Sequence, residues 1–154
     1  MNFAKLLTPK AVKVLSATTS KKRLITELGD LAQSAYGLET AEIIEALLAR
    51  EALGPTGVGR GVALPHARIK GIEQVSGLFV LLEKPVDFGS VDRLPVDITF
   101  ALFAPVNAGV DHLKALALVS RTLRDASICA KLRANLSADT LYTILTETEA
   151  VKAA

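Results

Sequence analysis

The chain has 154 residues, 50% of them hydrophobic and 22% charged, with a formal net charge of +2. Such a chain can bury about 70% of its unfolded surface, so one globular domain spanning residues 1–154 is expected, without disulfides or metal. A disordered tail or a coiled coil is excluded as the main architecture. The charge is too small and scattered for a nucleic-acid footprint, and a chain with no Trp offers no aromatic ladder for stacked bases.

Cys129 has no partner thiol, which fits a reducing compartment. The opening MNFAKLLTPKAVKVL breaks its apolar stretches with Lys5, Lys10 and Lys13, so it offers no continuous signal-peptide core. No apolar run approaches the ~18 residues that span a bilayer. A soluble, cytoplasmic protein without membrane insertion is expected.

In chain order, a short apolar opening leads to a strand at Val12 to Leu15. Ser20 is placed to cap a helix carrying Leu24, Leu28, Leu31 and Ala35 at helical spacing, which Gly37 ends. Thr40 is placed to cap a second helix with a buried stripe of Ile43, Ile44, Leu47 and Leu48; Arg50 and Glu51 fall in its last turn. GPTGVGRG, from Gly54 to Gly61, has loop composition. A short strand at Val62 to Leu64 precedes two longer ones, SGLFVLLE and VDITFALFA, whose nearly continuous apolar character predicts cover on both faces. Asp111 is read as the cap of a helix through Leu123, and Ser127 and Ser137 as the starts of two shorter helices, the last turning Leu141, Ile144 and Leu145 inward. The tail EAVKAA is expected to fray. The pattern is α/β, with a mixed sheet between helical layers.

The chain has two histidines. His66 follows Pro65 beside the glycine segment, where α/β folds expose side chains to ligands, and Pro65 fixes the approach of the backbone. His112 lies in the first turn of its helix, whose free N–H groups and positive dipole end favour an anion. If the two converge, they frame a site that is positive at one end and nucleophilic at the other. Arg50 and Arg68 flank it with planar paired donors suited to phosphate oxygens. Each feature also has a plainer reading. A lone histidine is more often structural, Arg50 is a favourable charge at a helix C-terminus, and a glycine-rich loop is usually only a turn. It is the combination of glycine loop, short strand, Pro65 and His66 that points to phosphate handled by histidine.

Sharper motifs fail. Arg60 and Gly61 stand where a phosphate-binding loop of the Walker type needs Lys and Ser/Thr, and Val62 replaces the third spaced glycine of the dinucleotide fingerprint. Two histidines and one cysteine, the latter predicted on the buried face of a helix, do not make structural zinc. There is no G-x-S-x-G elbow.

The segment REALGPTGVGRGVALPHAR, Arg50 to Arg68, resembles the phosphorylation-site signature of the enzyme IIA components of the fructose and mannitol class, in the bacterial phosphoenolpyruvate-dependent phosphotransferase system. The resemblance continues through PVDITFALFAP and DHLKALALVSRTLRD to LYTILTE, covering nearly the whole chain. With no fused transporter, IIB or HPr-like domain, the chain most resembles the nitrogen-related enzyme IIA. The resemblance implies a single-domain α/β fold, a mixed β-sheet flanked by helices on both faces. It implies that His66 accepts the phosphoryl group, that His112 stabilises or orients it, and that Arg50 contacts phosphate, with no cofactor and no metal. The implied donor is an HPr-type phosphocarrier charged through enzyme I, and the implied targets are regulatory, such as potassium transport or sensor proteins. Arg60 departs from relatives that carry a small polar residue there, which bears on partner preference.

At cytoplasmic pH a histidine of ordinary pKa, about 6.5, is largely neutral and needs no general base to attack phosphorus. The docking surface is expected to be apolar around a recessed histidine, with Val58, Val62, Leu64 and Val110 as candidates. Two alternatives stand beside the regulator: a sugar-specific enzyme IIA that passes phosphate to a IIB domain, and a non-catalytic interaction module.

Overall fold

The computed structural model describes residues 1–153, and side chains through Glu147. In chain order the elements are α1 (Phe3–Leu6), a 3₁₀ turn at Pro9–Ala11, β1 (Val12–Leu15), α2 (Lys21–Tyr36) and α3 (Thr40–Glu51). Four short or long strands follow: β2 (Gly57–Gly59), β3 (Val62–Ala63), β4 (His66–Ile69) and β5 (Ser76–Val86). The chain closes with β6 (Val96–Pro105), α4 (Val110–Leu123), α5 (Ala126–Arg133) and α6 (Ala138–Ala153).

β5 and β6 form the antiparallel centre of a six-stranded mixed sheet of order β1-β5-β6-β3-β2. In β6 the residues of both parities are buried, Val96, Ile98, Phe100 and Leu102 as well as Thr99, Ala101 and Phe103. Successive side chains of a strand point to opposite faces, so burial of both sets means that both faces are covered. The helical layers predicted from these apolar runs are therefore present. β1 adds to the far edge of β5 in parallel, and β3 and β4 pair in parallel with the other edge of β6.

Ser20 caps α2 as expected, its hydroxyl accepting from Arg23 N–H at 3.0 Å, and Gly37 ends it in the left-handed region at φ +69°. Gly29 in the middle of α2 is explained by α3. A Cβ there would lie 2.7 Å from Ile44 Cγ1, so the missing side chain lets the two helices approach.

Several boundaries differ from the sequence reading. Glu39, not Thr40, occupies the cap position of α3 and makes no side-chain cap bond; the Thr40 hydroxyl donates instead to Gln33 Oε1. The buried stripe of α3 narrows to Ile43 and Leu47, with Ile44 half-buried and Leu48 exposed. Asp111 lies inside the first turn of α4, after Gly109 at φ +55° redirects the chain, and Asp125 rather than Ser127 caps α5. In each case a residue one or two positions earlier occupies the cap position. α6 runs 16 residues rather than being short, although Leu141, Ile144 and Leu145 point inward as predicted. α6 continues through Ala153, into the tail that was expected to fray, and Ala154 lies outside the described residues.

α1 is not foreseen in the short apolar opening, and β2 and β4 are the strands that sequence patterning misses. Gly57–Gly59 contributes little but backbone to its pairing with β3, and β4 is four residues with only Ile69 buried. Neither carries a periodic apolar signal; both exist because β6 and β3 offer them ladder partners.

Candidate functional site

Pro65 divides what would otherwise be one strand alongside β6. Ala63 pairs with Thr99 and His66 with Leu102, while Leu64 leaves the edge and donates its N–H to Thr56 O at 2.9 Å. Proline has no N–H to offer the ladder, so the strand breaks there, and Leu102 N–H returns to Pro65 O at 2.9 Å. His66 therefore opens β4. Its ring is half-buried, with Nδ1 lying 2.8 Å from Leu64 O. A carbonyl only accepts, so Nδ1 carries the proton and Nε2 is left with its lone pair.

His112 reaches the same place from α4. The two imidazole centroids are 5.8 Å apart, with their planes inclined at 50°, so the convergence expected from the sequence is present. His112 is 7% exposed, and its Nδ1 is buried without a hydrogen-bond partner. Burial first, then the nearby His66 and then the charge of Arg68, push its pKa below the ordinary histidine value. The pocket thus holds a neutral imidazole at neutral pH.

The sign of the resulting pH effect follows directly. A histidine whose pKa is depressed on folding contributes stability that is complete above about pH 6.5 and is lost as pH falls through the folded value. His112→Gln is expected to flatten the acid limb of a urea-stability profile below about pH 6.5, by at most one proton's worth, about 1.4 kcal/mol per pH unit. An unchanged acid limb in this variant would remove His112 as its cause.

The two arginines are placed differently. Arg68 shares a strand face with His66 by its i+2 spacing, and its Nη1 donates to Val106 O at 3.0 Å, below the turn that leads into α4. Arg50 is half-buried at the end of α3, where its Nη1 donates to Gly54 O at 2.9 Å and ties down the entry of the glycine segment. Arg60 forms the tip of the β2–β3 hairpin at φ +58°, a conformation usually left to glycine. Its N–H donates to Asp92 Oδ2 at 2.8 Å, and its carbonyl accepts from Arg133 Nη2, itself paired with Asp97. The N–H of Arg60, with that of Leu94, holds the Asp92 carboxyl below its usual value.

Of the apolar candidates for a docking rim, Val58 and Val110 are exposed, whereas Val62 and Leu64 are 1% and 4% exposed and belong to the core. Both are buried, so they drop out as docking candidates. Leu53, Val106 and Leu113 are further exposed apolar residues that the sequence reading did not single out. For Leu113 the signal was available, because it lies off the helical stripe of His112, Ala115, Leu118 and Val119.

Cys129 is buried in α5, its thiol donating to Leu123 O. Among the described residues no three His, Cys, Asp or Glu side chains converge, and no helix is long and apolar enough to cross a membrane. A cavity of about 370 Å³ beside the β6–α4 turn is lined by Lys5, Glu73, Asn107 and Asp111 among others, and neither histidine lines it.

A mixed sheet thus presents one histidine at the start of a short strand, opposite a second from the first turn of a helix. The chain belongs to the family described as "Phosphoenolpyruvate-dependent sugar phosphotransferase system, EIIA 2", whose family model matches residues 5–148. The similarity runs to the nitrogen-regulatory branch: the "Nitrogen regulatory protein" of Bradyrhizobium diazoefficiens is 44% identical over 145 residues, covering 94% of this chain and 95% of its own. The crystal structure of the nitrogen regulatory protein IIA-Ntr from Neisseria meningitidis superposes with a TM-score of 0.85 at 38% identity, covering 94% of this chain and 99% of that one. The IIA mannitol structure from Escherichia coli, at TM-score 0.74 and 22% identity over 90% of this chain and 98% of its own, shares the fold.

Proposed function

We propose that this protein is a phosphohistidine carrier in which Nε2 of His66 accepts a phosphoryl group from an HPr-type carrier charged by phosphoenolpyruvate through enzyme I. The observation that carries the reading is the paired geometry of the two imidazoles: His66 has Nδ1 engaged by Leu64 O, and the neutral His112 stands 5.8 Å away. The His66 lone pair attacks phosphorus, the new N–P bond forms as the donor's N–P bond breaks, and the donor imidazole leaves with the electron pair. No proton has to move first, so no general base is needed. An in-line, loose transition state asks mainly for positioning and charge stabilisation. His112, whose buried Nδ1 is without a partner, Arg68, and Arg50 with the donors not bound to Gly54, supply that stabilisation without metal.

In this reading the phosphoryl group adds about −1.5 to −2 charges to a protein whose exposed apolar residues include Val58, Val110 and Leu113, so the charge state selects which cytoplasmic regulatory partner binds. Potassium transport and sensor proteins are the classes of target the resemblance suggests. The test is incubation with phosphoenolpyruvate, enzyme I and the HPr-type carrier, read by intact mass. One acid-labile phosphoryl group is expected, and its absence with an active donor set overturns the reading in favour of an interaction module. Onward transfer to a IIB cysteine in the same assay would identify a sugar-specific component instead. Leu113→Glu is expected to raise the donor concentration at half-saturation about 5- to 30-fold, corresponding to 1–2 kcal/mol at an interface residue, with the rate at saturation retained. Unchanged half-saturation would place the docking face elsewhere.

A further inference from the structure

Three residues, from two helices and the glycine segment, close into one network. The Glu51 side chain, at the end of α3, is 6% exposed, and its Oε2 lies 2.8 Å from Lys21 Nζ at the start of α2. The same oxygen accepts Thr56 N–H at 3.2 Å, and Oε1 accepts the Thr56 hydroxyl proton. Lys21 is itself fixed, donating to Phe88 O at 3.0 Å and standing 4.3 Å from the Phe88 ring centroid. A carboxylate buried with both oxygens engaged is held in one arrangement, because any alternative leaves charge unpaired away from water.

The network reaches the proposed nucleophile through the backbone. Thr56 O accepts Leu64 N–H at 2.9 Å, and Leu64 O is the atom that holds His66 Nδ1 at 2.8 Å. Nothing in the β6 ladder takes over this task. The ladder pairs Ala63 with Thr99 and bonds Pro65 O to Leu102 N–H, so the intervening Leu64 is oriented from the Thr56 side. Rotation of Leu64 would release Nδ1 and let the imidazole exchange tautomers, leaving the lone pair on the wrong nitrogen for part of the time.

We propose that Glu51, held by Lys21, is a positioning residue for His66, fixing through Thr56 and Leu64 the tautomer that leaves Nε2 as the nucleophile. The role rests on the carrier reading above and gives that site its second layer of support.

The test compares wild type with Glu51→Ala and Glu51→Gln on two readouts. Long-range imidazole ¹H–¹⁵N correlation reports which His66 nitrogen carries the proton, and single-turnover transfer from the phosphorylated HPr-type carrier reports rate and half-saturation separately. Wild type is expected to show a single Nδ1–H form. Glu51→Ala is expected to show averaged nitrogens and a saturated transfer rate about 10-fold lower, with half-saturation changed by less than about twofold. Glu51→Gln, which can still accept from Thr56, is expected to restore the single tautomer and most of the rate. A Glu51→Ala protein that merely melts earlier, with wild-type tautomer and rate, overturns the proposal. Should that variant fail to fold, Thr56→Val removes the hydroxyl arm alone, and an unchanged tautomer and rate there would equally overturn it. Failure of wild type to take up phosphoryl would overturn the carrier reading, and the tautomer comparison would still decide the positioning.

Discussion

His66→Ala is expected to abolish uptake of the acid-labile phosphoryl group while leaving a folded protein. The loss is expected to be complete because the alternative acceptor is unsuited. His112 is buried, 7% exposed, and a donor phosphohistidine has to approach within bonding distance of a nitrogen that faces it. The fold is expected to survive because His66 is half-buried at the start of a four-residue strand, and the side chain contributes one hydrogen bond, to Leu64 O. Loss of one such bond costs about 1 kcal/mol. Circular dichroism and urea titration check the fold, and intact mass after incubation with the donor set checks the chemistry. A labile adduct that persists in this variant would move the acceptor to another residue. His112→Ala is expected to differ in kind: transfer slows, His66 still accepts phosphoryl, and complete indifference of the rate would exclude the role proposed for His112.

Phe100→Ala is expected to produce the largest loss of stability. Phe100 lies fully buried in the middle of β6, edge-on to Phe3 at 5.6 Å and to Phe79 at 6.3 Å between ring centroids. Its ring also fills the space over Gly77, where a Cβ would come within 2.6 Å of Phe100 Cε1. Truncation removes the ring that joins α1 to β5 and leaves a void that the two-stranded centre of the sheet cannot close by moving. Loss of about 3–5 kcal/mol is expected, read as a lower urea midpoint with an unchanged m-value. A loss under about 1 kcal/mol would mean that the surrounding side chains collapse into the space, which the close packing of protein interiors argues against. Because Phe100 lies two residues before Leu102, the partner of His66, a stable fraction of this variant is expected to retain phosphoryl acceptance.

Much of this architecture was legible in the amino-acid sequence. The unbroken apolar runs of β5 and β6 announced a doubly covered sheet, because only strands buried on both faces dispense with polar alternation. Ser20 and Gly37 marked α2 because a cap and a left-handed stop are chemical properties of single residues. His66 and His112 stood out because few residue types act as nucleophiles at neutral pH, and the glycine segment with Pro65 gave one of them a distinctive setting. What misled was equally local: Thr40, Asp111 and Ser127 are good capping residues one or two positions inside the helices they were expected to cap. Capping depends on the flanking backbone conformation, which Glu39, Gly109 and Asp125 adopt instead.

Tertiary structure alone decided the rest, since distances between residues remote in sequence are fixed by packing and carry no local periodic signature. The existence of β4, with a half-buried, partly charged sequence, was decided by the free edge of β6. The burial of Val62 and Leu64 against the exposure of Val58 was decided by how β2, β3 and the segment after β3 pack in the fold. The meeting of His66 with His112, 46 positions apart in the chain, was decided by α4 starting beside the strand that pairs with His66. Glu51 read from sequence as one more charge in a last helical turn; its union with Lys21 and Thr56 required α2, α3 and the glycine segment to close on one another. The sequence by itself thus determined the element types and the chemical identity of the reactive side chains, while burial and long-range backbone pairing determined which of those side chains meet.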